Sequence, residues 1–267
     1  MGSSPEPSKL EAAAPVPTET HLEAPPRKVP VHHRLRAHIH LPPPTPLRRE
    51  ILLTLTTIQT GMLDASIYSS VGRVFVANVT GNIVLLGLAV ANVEVDVDVL
   101  PIVVSLVAFF FGGFFAGIME RWTEQKEGHH SRIFFASMTL LDAILDFVCA
   151  ILIFKNVVPI APSGSIRLVI FALLAMGQGA LLVLTKRAGL PEFSNAVVTN
   201  NYIDLSTDKN LFHLCGDVRA RNRRAISLVS LLIGSLVGAF IYKYLGLGVA
   251  LVISGGLSVV TAVGWAI

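Results

Sequence analysis

Two acidic residues lie four positions apart in the middle of a long apolar stretch. Asp142 and Asp146 belong to the segment 140–147, and residues spaced by four share one face of a helix. Two neighbouring carboxylates repel each other when both are ionised, so one of them is inclined to hold a proton. The pair therefore predicts a proton or cation relay, and Asp64, inside another apolar stretch, is a third candidate.

The presence of acidic residues inside apolar stretches requires an explanation. An acidic side chain at the centre of a membrane helix costs about 2.5 to 3.5 kcal/mol on insertion scales. The alternative to a relay is that each acid is protonated, bonds to Ser or Thr on a neighbouring helix, or faces a water-filled vestibule. Neutral side chains that could hydrogen-bond a substrate are Gln59, Asn78, Thr80, Asn82, Gln178, Thr199 and Asn201.

The elements that must position these residues are apolar blocks of membrane-spanning length. Of the 267 residues 52% are hydrophobic and 15% are charged, a balance that does not suit a water-soluble surface. Backbone groups in lipid must bond within their own segment, so blocks of about twenty apolar residues are helices. The predicted fold is all-α, a polytopic transmembrane bundle with about six full spans. The blocks are 51–70, 100–119, 133–154, 166–185, 225–244 and 248–265.

The loops predict the orientation of the bundle. Residues 1–46 form a Pro-rich basic tail, predicted to be disordered, ahead of a transmembrane domain at 47–267. The tail and the loop 186–224 are both rich in Arg, so we expect both on the cytoplasmic side. The apolar segment 79–92 is short for a span. If it is re-entrant, every basic loop lies inside, which favours that interpretation over a full crossing.

Two stretches of the chain resemble each other. About nineteen positions separate Gly61 from Thr80, and about twenty separate Gly179 from Thr199. With a re-entrant first segment the repeats are inverted, and short broken segments at matching positions are typical of a transporter site near the midplane. We expect the backbone to break at Gly81 and at Asn200, which both tolerate left-handed conformations. The alternative is that these small polar residues only pack helices.

The remaining motifs indicate helix packing, and none indicates a catalytic or metal site. The glycine pairs in 113–117 and 234–238 have the small-xxx-small spacing of close helix contacts, within one subunit or between subunits. His213 and Cys215 lack the paired spacing of a zinc site. No phosphate-binding loop, dinucleotide motif or catalytic elbow is present. We therefore expect no enzyme activity, cofactor, metal or nucleic-acid partner.

Specific motifs indicate a family. The stretch 61–68, Gly-Met-Leu-Asp-Ala-Ser-Ile-Tyr, is followed by Ala-Asn-Val-Thr-Gly-Asn at 77–82 and by Leu86-Gly87. This pattern resembles the DUF1275 (YoaK-type) membrane proteins of bacteria and fungi over residues 50–265. The second motif, at 198–201, departs from the Thr-Gly form. The resemblance implies a membrane protein of unknown function, and the long tail fits a fungal member.

The residues then support one leading function. It is a small secondary transporter or permease that moves a small solute or ion across the lipid bilayer, coupled to protons through the acids, in a monomer or a homo-oligomer. A membrane scaffold or assembly protein is the first alternative and predicts a packed, dry interior. An intramembrane enzyme is the second and predicts an acid pair beside a lipid-open cleft. Transport predicts a central cavity shared by the acids and the two Thr motifs.

Overall fold

The chain folds into helices that match the predicted apolar blocks. The computed structural model describes residues 43–70, 73–93, 98–127, 131–155, 167–194, 198–213 and 218–267. No strand lies within these residues, and the all-α prediction is confirmed. The helices are α1 (Pro46–Ser70), α2 (Val79–Val90), α3 (Val99–Glu127), α4 (Arg132–Phe154), α5 (Arg167–Arg187), α6 (Val198–Ser206), α7 (Arg219–Leu245) and α8 (Leu247–Ala266), with a short 3₁₀ helix at Pro191–Phe193.

Five of the six predicted spans meet the length and hydropathy expected of a membrane helix. They are α3, α4, α5, α7 and α8. Helix α1 has 25 residues, but its Thr, Gln, Asp and Ser side chains lower its hydropathy. It packs along both α7 and α8, and many of its side chains are buried. Helix α1 is therefore the polar, interior member of the bundle.

The start of α1 corrects one expectation. The predicted tail ends at residue 46, whereas Pro46 is already the first residue of α1. The main-chain N–H of Arg49 donates to the Thr45 carbonyl oxygen at 3.1 Å. Proline fits the first turn because the N–H that it lacks would have no partner there. The rest of the predicted tail, 1–42, lies outside the described residues.

Helices α1 and α7 run in the same direction. Near their starts, the Arg223 Nη2 lies 2.6 Å from the Glu50 Oε1. Further along, Met62 packs on Gly238. We call the end of the bundle where these helices begin the proximal end, and the other end the distal end. Gly246, with φ of 86°, joins α7 directly to α8, so α8 returns to the proximal end.

The remaining directions follow from end-to-end contacts. Helix α4 is antiparallel to α8, since the Arg132 side chain near the start of α4 donates to the Ile267 carbonyl oxygen just after α8. Helix α5 is antiparallel to α4 and returns to the proximal end. Helix α3 is parallel to α5, because Asp98 pairs with Arg167 at one end and Glu120 with Arg187, at 2.7 Å, at the other.

The directions of the long helices determine at which end of the bundle α2 and α6 enter and leave. Helix α1 ends and α3 begins at the distal end, so α2 enters and leaves at that end. Helix α5 ends and α7 begins at the proximal end, so α6 enters and leaves there. With 12 and 9 residues, both are too short to cross a bilayer of about 30 Å. The re-entrant interpretation of 79–92 agrees with this arrangement.

The two halves of the chain are inverted repeats. Helices α1–α4 make three crossings and α5–α8 make three crossings in the opposite sense. Exchanging the halves pairs α1 with α5, α2 with α6, α3 with α7 and α4 with α8. The contact between α1 and α7 then corresponds to that between α5 and α3, and the contact between α2 and α3 to that between α6 and α7. The contact between α4 and α5 corresponds to that between α8 and α1. The contact between α4 and α8 maps onto itself. A two-fold axis in the membrane plane therefore relates the repeats.

The glycine spacing predicts the α7 contact, and on α3 one glycine of the predicted pair, Gly113, faces α5, since its N lies 3.0 Å from a Cβ added at Gly179. A Cβ added at Gly234 would lie 2.1 Å from the Ile58 carbonyl oxygen, so the α7 motif is a close packing face. On α3, Gly117 has no neighbour within 4 Å. The close contact there belongs to Gly112, where an added Cβ would lie 2.0 Å from the Met176 carbonyl oxygen.

Labelling of single cysteines tests the orientation. In a background without Cys149 and Cys215, we expect Thr45→Cys and Lys209→Cys to react with a membrane-impermeant maleimide from the cytoplasmic side, because basic loops concentrate on that side of membrane proteins. Val93→Cys, at the distal end, should react from the opposite side. Labelling of the two proximal positions from opposite faces would contradict the inverted arrangement.

Candidate functional site

The acid pair lies at the centre of the bundle, where α1, α4, α5 and α8 meet. Asp142 and Asp146 are each 1% exposed. Ser258 donates its hydroxyl to the Asp142 Oδ2 at 2.9 Å, and Ser254 donates to the Asp146 Oδ2 at 2.5 Å. The four-residue spacing on α4 thus faces an equal spacing on the antiparallel α8. Both acids therefore point into the protein.

Two glutamine side chains complete the acid cluster, which we define as Asp142, Asp146, Gln59, Gln178, Ser254 and Ser258. The Gln59 Nε2 lies 3.1 Å from the Asp142 Oδ2, 3.5 Å from the Asp146 Oδ2 and 2.9 Å from the Ser254 Oγ. The Gln178 Nε2 donates to the Asp142 Oδ1 at 3.1 Å. One amide therefore spans both carboxylates, and a second fixes the far side of Asp142.

The cluster holds two carboxylates with neutral partners. Among the described residues, the hydrogen bonds to Asp142 and Asp146 come from Ser and Gln side chains. Two ionised carboxylates without a cation are costly at this depth, so the arrangement favours a shared proton. The buried Asp146 Oδ1 has no hydrogen-bond partner in the described part of the chain. That oxygen is a free position for a proton to occupy.

Asp64 has a different environment on the same helix as Gln59. It is half-buried, and its Oδ1 accepts the main-chain N–H groups of Val76 and Ala77, both at 2.8 Å. These residues lie in the segment that leads into α2. The carboxylate therefore holds this segment against α1 and positions the start of the re-entrant helix.

A cavity of about 440 Å³ lies between the starts of α2 and α6. Both repeats contribute to it, because Val79 and Thr80 line it from the first and Val198 and Thr199 from the second. Further polar or small residues in its wall are Thr60, Asp64, Asn78 and Gly81. The two re-entrant helices thus direct their first turns at one space from opposite ends of the bundle.

Thr60 connects the cavity to the acid cluster. It lines the cavity, and its hydroxyl lies 3.1 Å from the Gln178 Oε1. Gln178 in turn donates to Asp142. A second cavity of about 10 Å³, lined by Thr60 and Gln178 among others, has roughly the volume that one water molecule requires. The route from the cavity to Asp142 is therefore two side chains long.

Matching asparagines fix the two re-entrant helices. The buried Asn82 of α2 donates its Nδ2 to the Phe75 carbonyl oxygen at 2.7 Å and accepts the Phe75 N–H. The buried Asn201 of α6 donates its Nδ2 to the Glu192 carbonyl oxygen at 2.5 Å. Each side chain bonds to the main chain that precedes its helix, which gives the two residues a positioning role.

Comparison with known proteins agrees with this architecture. The family model described as "Protein of unknown function (DUF1275)" matches residues 52–264. The chain belongs to the DUF1275 family. The DUF1275 chain is also 30% identical over 161 residues to the UPF0700 transmembrane protein YoaK of Bacillus subtilis (strain 168), which covers 60% of this chain and 67% of that relative. No solved structure matches the DUF1275 chain.

The sequence predicted the residues of this DUF1275 site but placed some of them in the wrong role. Asp142, Asp146, Gln59 and Gln178 form the acid cluster as one unit. Asp64 lies apart from it, with the cavity-lining residues Asn78, Thr80, Gly81 and Thr199. Asn82 and Asn201 bond to main-chain carbonyls, and Asn200 is exposed on α6.

The backbone does not break at Gly81 or at Asn200, where the breaks were predicted. Gly81 and Asn200 lie within helices α2 and α6, which begin at Val79 and Val198. Asn78 caps α2 by accepting the Gly81 N–H at 3.0 Å, so the glycine is already part of the first turn. The first break therefore precedes the Val-Thr motif. Residues 195–197, before the second motif, lie outside the described part of the chain.

Sequence reasoning missed Ser254, Ser258 and Thr60. The serines are four apart on α8, which repeats the spacing of the two acids, and this match was the available signal. Thr60 gave no such signal, because threonines are frequent throughout α1. Among the described residues no group of three or more His, Cys, Asp or Glu side chains could hold a metal ion, and Cys215 lies outside them.

Arginines at the proximal end tie α6 and α7 to α1. Glu50 accepts hydrogen bonds from Arg219 and Arg223. Arg224 lies 3.5 Å from the carboxylates of Asp204 and Asp208, on and just after α6. Arg221 donates to main-chain carbonyls between 210 and 213. The basic cluster thus binds protein groups of α1 and α6 at this end of the bundle.

Proposed function

We propose that this protein is a small secondary transporter or permease whose solute binds in the cavity between α2 and α6. The observation that carries the proposal is that the two Val-Thr motifs, one from each inverted repeat, line the same cavity from opposite ends. Inverted repeats with broken helices at a shared midplane site are the architecture of many transporters. Rocking of one repeat against the other would open the cavity to each side in turn.

Proton coupling is the second part of the proposal. The acid cluster lies two side chains from the cavity through Thr60 and Gln178. Protonation of Asp142 or Asp146 would change the hydrogen bonds of Gln178 and so the wall that a solute meets. The enclosed position of both acids favours proton exchange over hydrolysis, because an enzyme acting on lipid would need them at an open cleft.

The cavity of about 440 Å³ does not suit the packed interior expected of a scaffold, but only Asp64 of the three acids lines it, so the expectation that Asp142 and Asp146 share it with the Thr motifs is wrong. The exposed apolar faces of α3 and α7 fit contact with lipid or with a second copy of the chain. A homo-oligomer therefore remains part of the proposal, with the cavity formed inside each subunit.

A flux screen tests the proposal. Purified protein in vesicles with an interior pH dye is exposed to a library of small solutes, and we expect one solute class to move protons across the membrane. Thr199→Trp should reduce that flux to the level of empty vesicles, because the ring would fill the cavity. The matched control is Asn200→Trp, next along α6 but outside the cavity lining. Equal flux in both variants would contradict the assigned site.

A further inference from the structure

The charge of the cavity indicates the class of solute. Among the described residues that line it, Asp64 is the one with a charged side chain, and the remainder are polar, aromatic or aliphatic. A carboxylate facing a cavity within a membrane protein is a natural counter-ion for a cationic ligand. We propose that the cavity binds a small organic cation, an ammonium or guanidinium compound, with Asp64 as its counter-ion.

An anion is the obvious competitor, because the start of a helix attracts negative charge. At α2, however, several N–H groups before and within the first turn already have acceptors. Asp64 accepts those of Val76 and Ala77, and Asn78 accepts that of Gly81. The protein thus supplies its own anion at this helix start. An anionic solute would meet the Asp64 carboxylate at this side of the cavity.

The size and walls of the cavity favour an organic cation over a bare metal ion. A volume of about 440 Å³ exceeds what one ion occupies, and Phe109, Val84 and Leu231 form apolar parts of the wall. Alkyl groups of a substituted ammonium would pack against these side chains. Aromatic rings such as that of Phe109 also attract cations.

The repeats differ at the position that carries the charge. Asp64 follows Gly61 by three positions, and the residue three positions after the matching Gly179 is Leu182, which also lines the cavity. Among the described residues that the two repeats contribute to the cavity wall, there is therefore one acid. One cationic group per cavity is the stoichiometry that this arrangement predicts.

Thermal unfolding tests cation binding without requiring flux. We expect methylammonium, tetramethylammonium or butylguanidinium chloride to raise the Tm of the purified full chain by about 2 to 4 °C above sodium chloride at equal ionic strength, once the probe exceeds its Kd several-fold. Sodium acetate should have no such effect. Stabilisation by acetate alone, or by none of the cations, would overturn the proposal.

Variants separate the counter-ion from general effects of charge. Asp64→Asn keeps an oxygen for the Val76 and Ala77 N–H groups but should abolish the cation-dependent rise in Tm. Asp98→Asn removes an acid outside the cavity and should retain the rise. If Asp64→Asn does not fold, Leu231→Phe, which narrows the cavity without touching the acid, should lower the cation affinity at least about tenfold. Full retention of the rise in Leu231→Phe, or in a folded Asp64→Asn, would refute the proposal.

The inference rests on the transport function proposed for the same cavity, but the two can fail separately. Cation binding without solute flux in vesicles would keep the binding site and reject transport. Flux of a neutral or anionic solute with no cation-dependent change in Tm would keep transport and reject the cation.

Discussion

Replacing both Asp142 and Asp146 with Asn is expected to leave a folded protein whose pH-gradient-driven flux falls to the level of empty vesicles. The amide keeps the shape of the carboxyl group and one acceptor oxygen, to which Gln178 can still donate, while the Ser258 hydroxyl can turn to accept from the new NH2 group at 142. Ser254 and Gln59 can rotate to accept from the new amide at 146. What the variant loses is a group that can take up and release a proton.

The single variants test whether the two acids share one proton. If the acids share one proton, either Asp→Asn change alone should remove coupling, because the remaining carboxylate loses the neighbour that makes it hold a proton. Asp98→Asn, at the distal end, is the matched control and should keep wild-type coupling. A folded double variant with undiminished pH coupling would reduce the acid cluster to a packing role.

Alanine at Gly112 or Gly234 is expected to disrupt the bundle more than any other small change. An added Cβ would lie 2.0 Å from the Met176 carbonyl oxygen in the first case and 2.1 Å from that of Ile58 in the second. These neighbours are main-chain atoms of a facing helix, so relief requires the helices to separate. We expect a loss of about 3 kcal/mol or more, measured as a lower Tm in detergent.

The control for the glycine variants is a change of the same kind at an open position. A Cβ added at Gly256, within α8, would have no neighbouring side chain or facing helix within 4 Å, and the same holds for Gly117 on α3. Alanine at either site should change stability by roughly 0.5 kcal/mol or less, or increase it through helix propensity. Equal losses at all four glycines would show that the effect is not close packing.

Hydrophobic block length was sufficient to predict most of the fold. Because the backbone in lipid has few options, apolar runs of span length predicted α3, α4, α5, α7 and α8 closely. Helix α1 was predicted as well. Its hydropathy is low because it lies inside the bundle, where its polar side chains form hydrogen bonds. The charge of the loops predicted that the tail and the 186–224 loop share one end.

The details of the site required distances that spacing does not contain. Periodicity places Asp142 and Asp146 on one face, but it does not say which helix lies opposite, so Ser254 and Ser258 were missed. Asp64 was grouped with the acid pair because all three are intramembrane acids. Only the fold reveals that main-chain N–H groups of the segment before α2 bind Asp64 and separate it from the others.

The three crossings in each repeat have a consequence for the origin of the chain. When a gene for an odd number of crossings is duplicated and fused, the second product inserts upside down with no linker helix needed. The arginines in the first turns of α7, at 219, 221, 223 and 224, have no counterpart at the start of α3, and they favour one orientation of the fused chain.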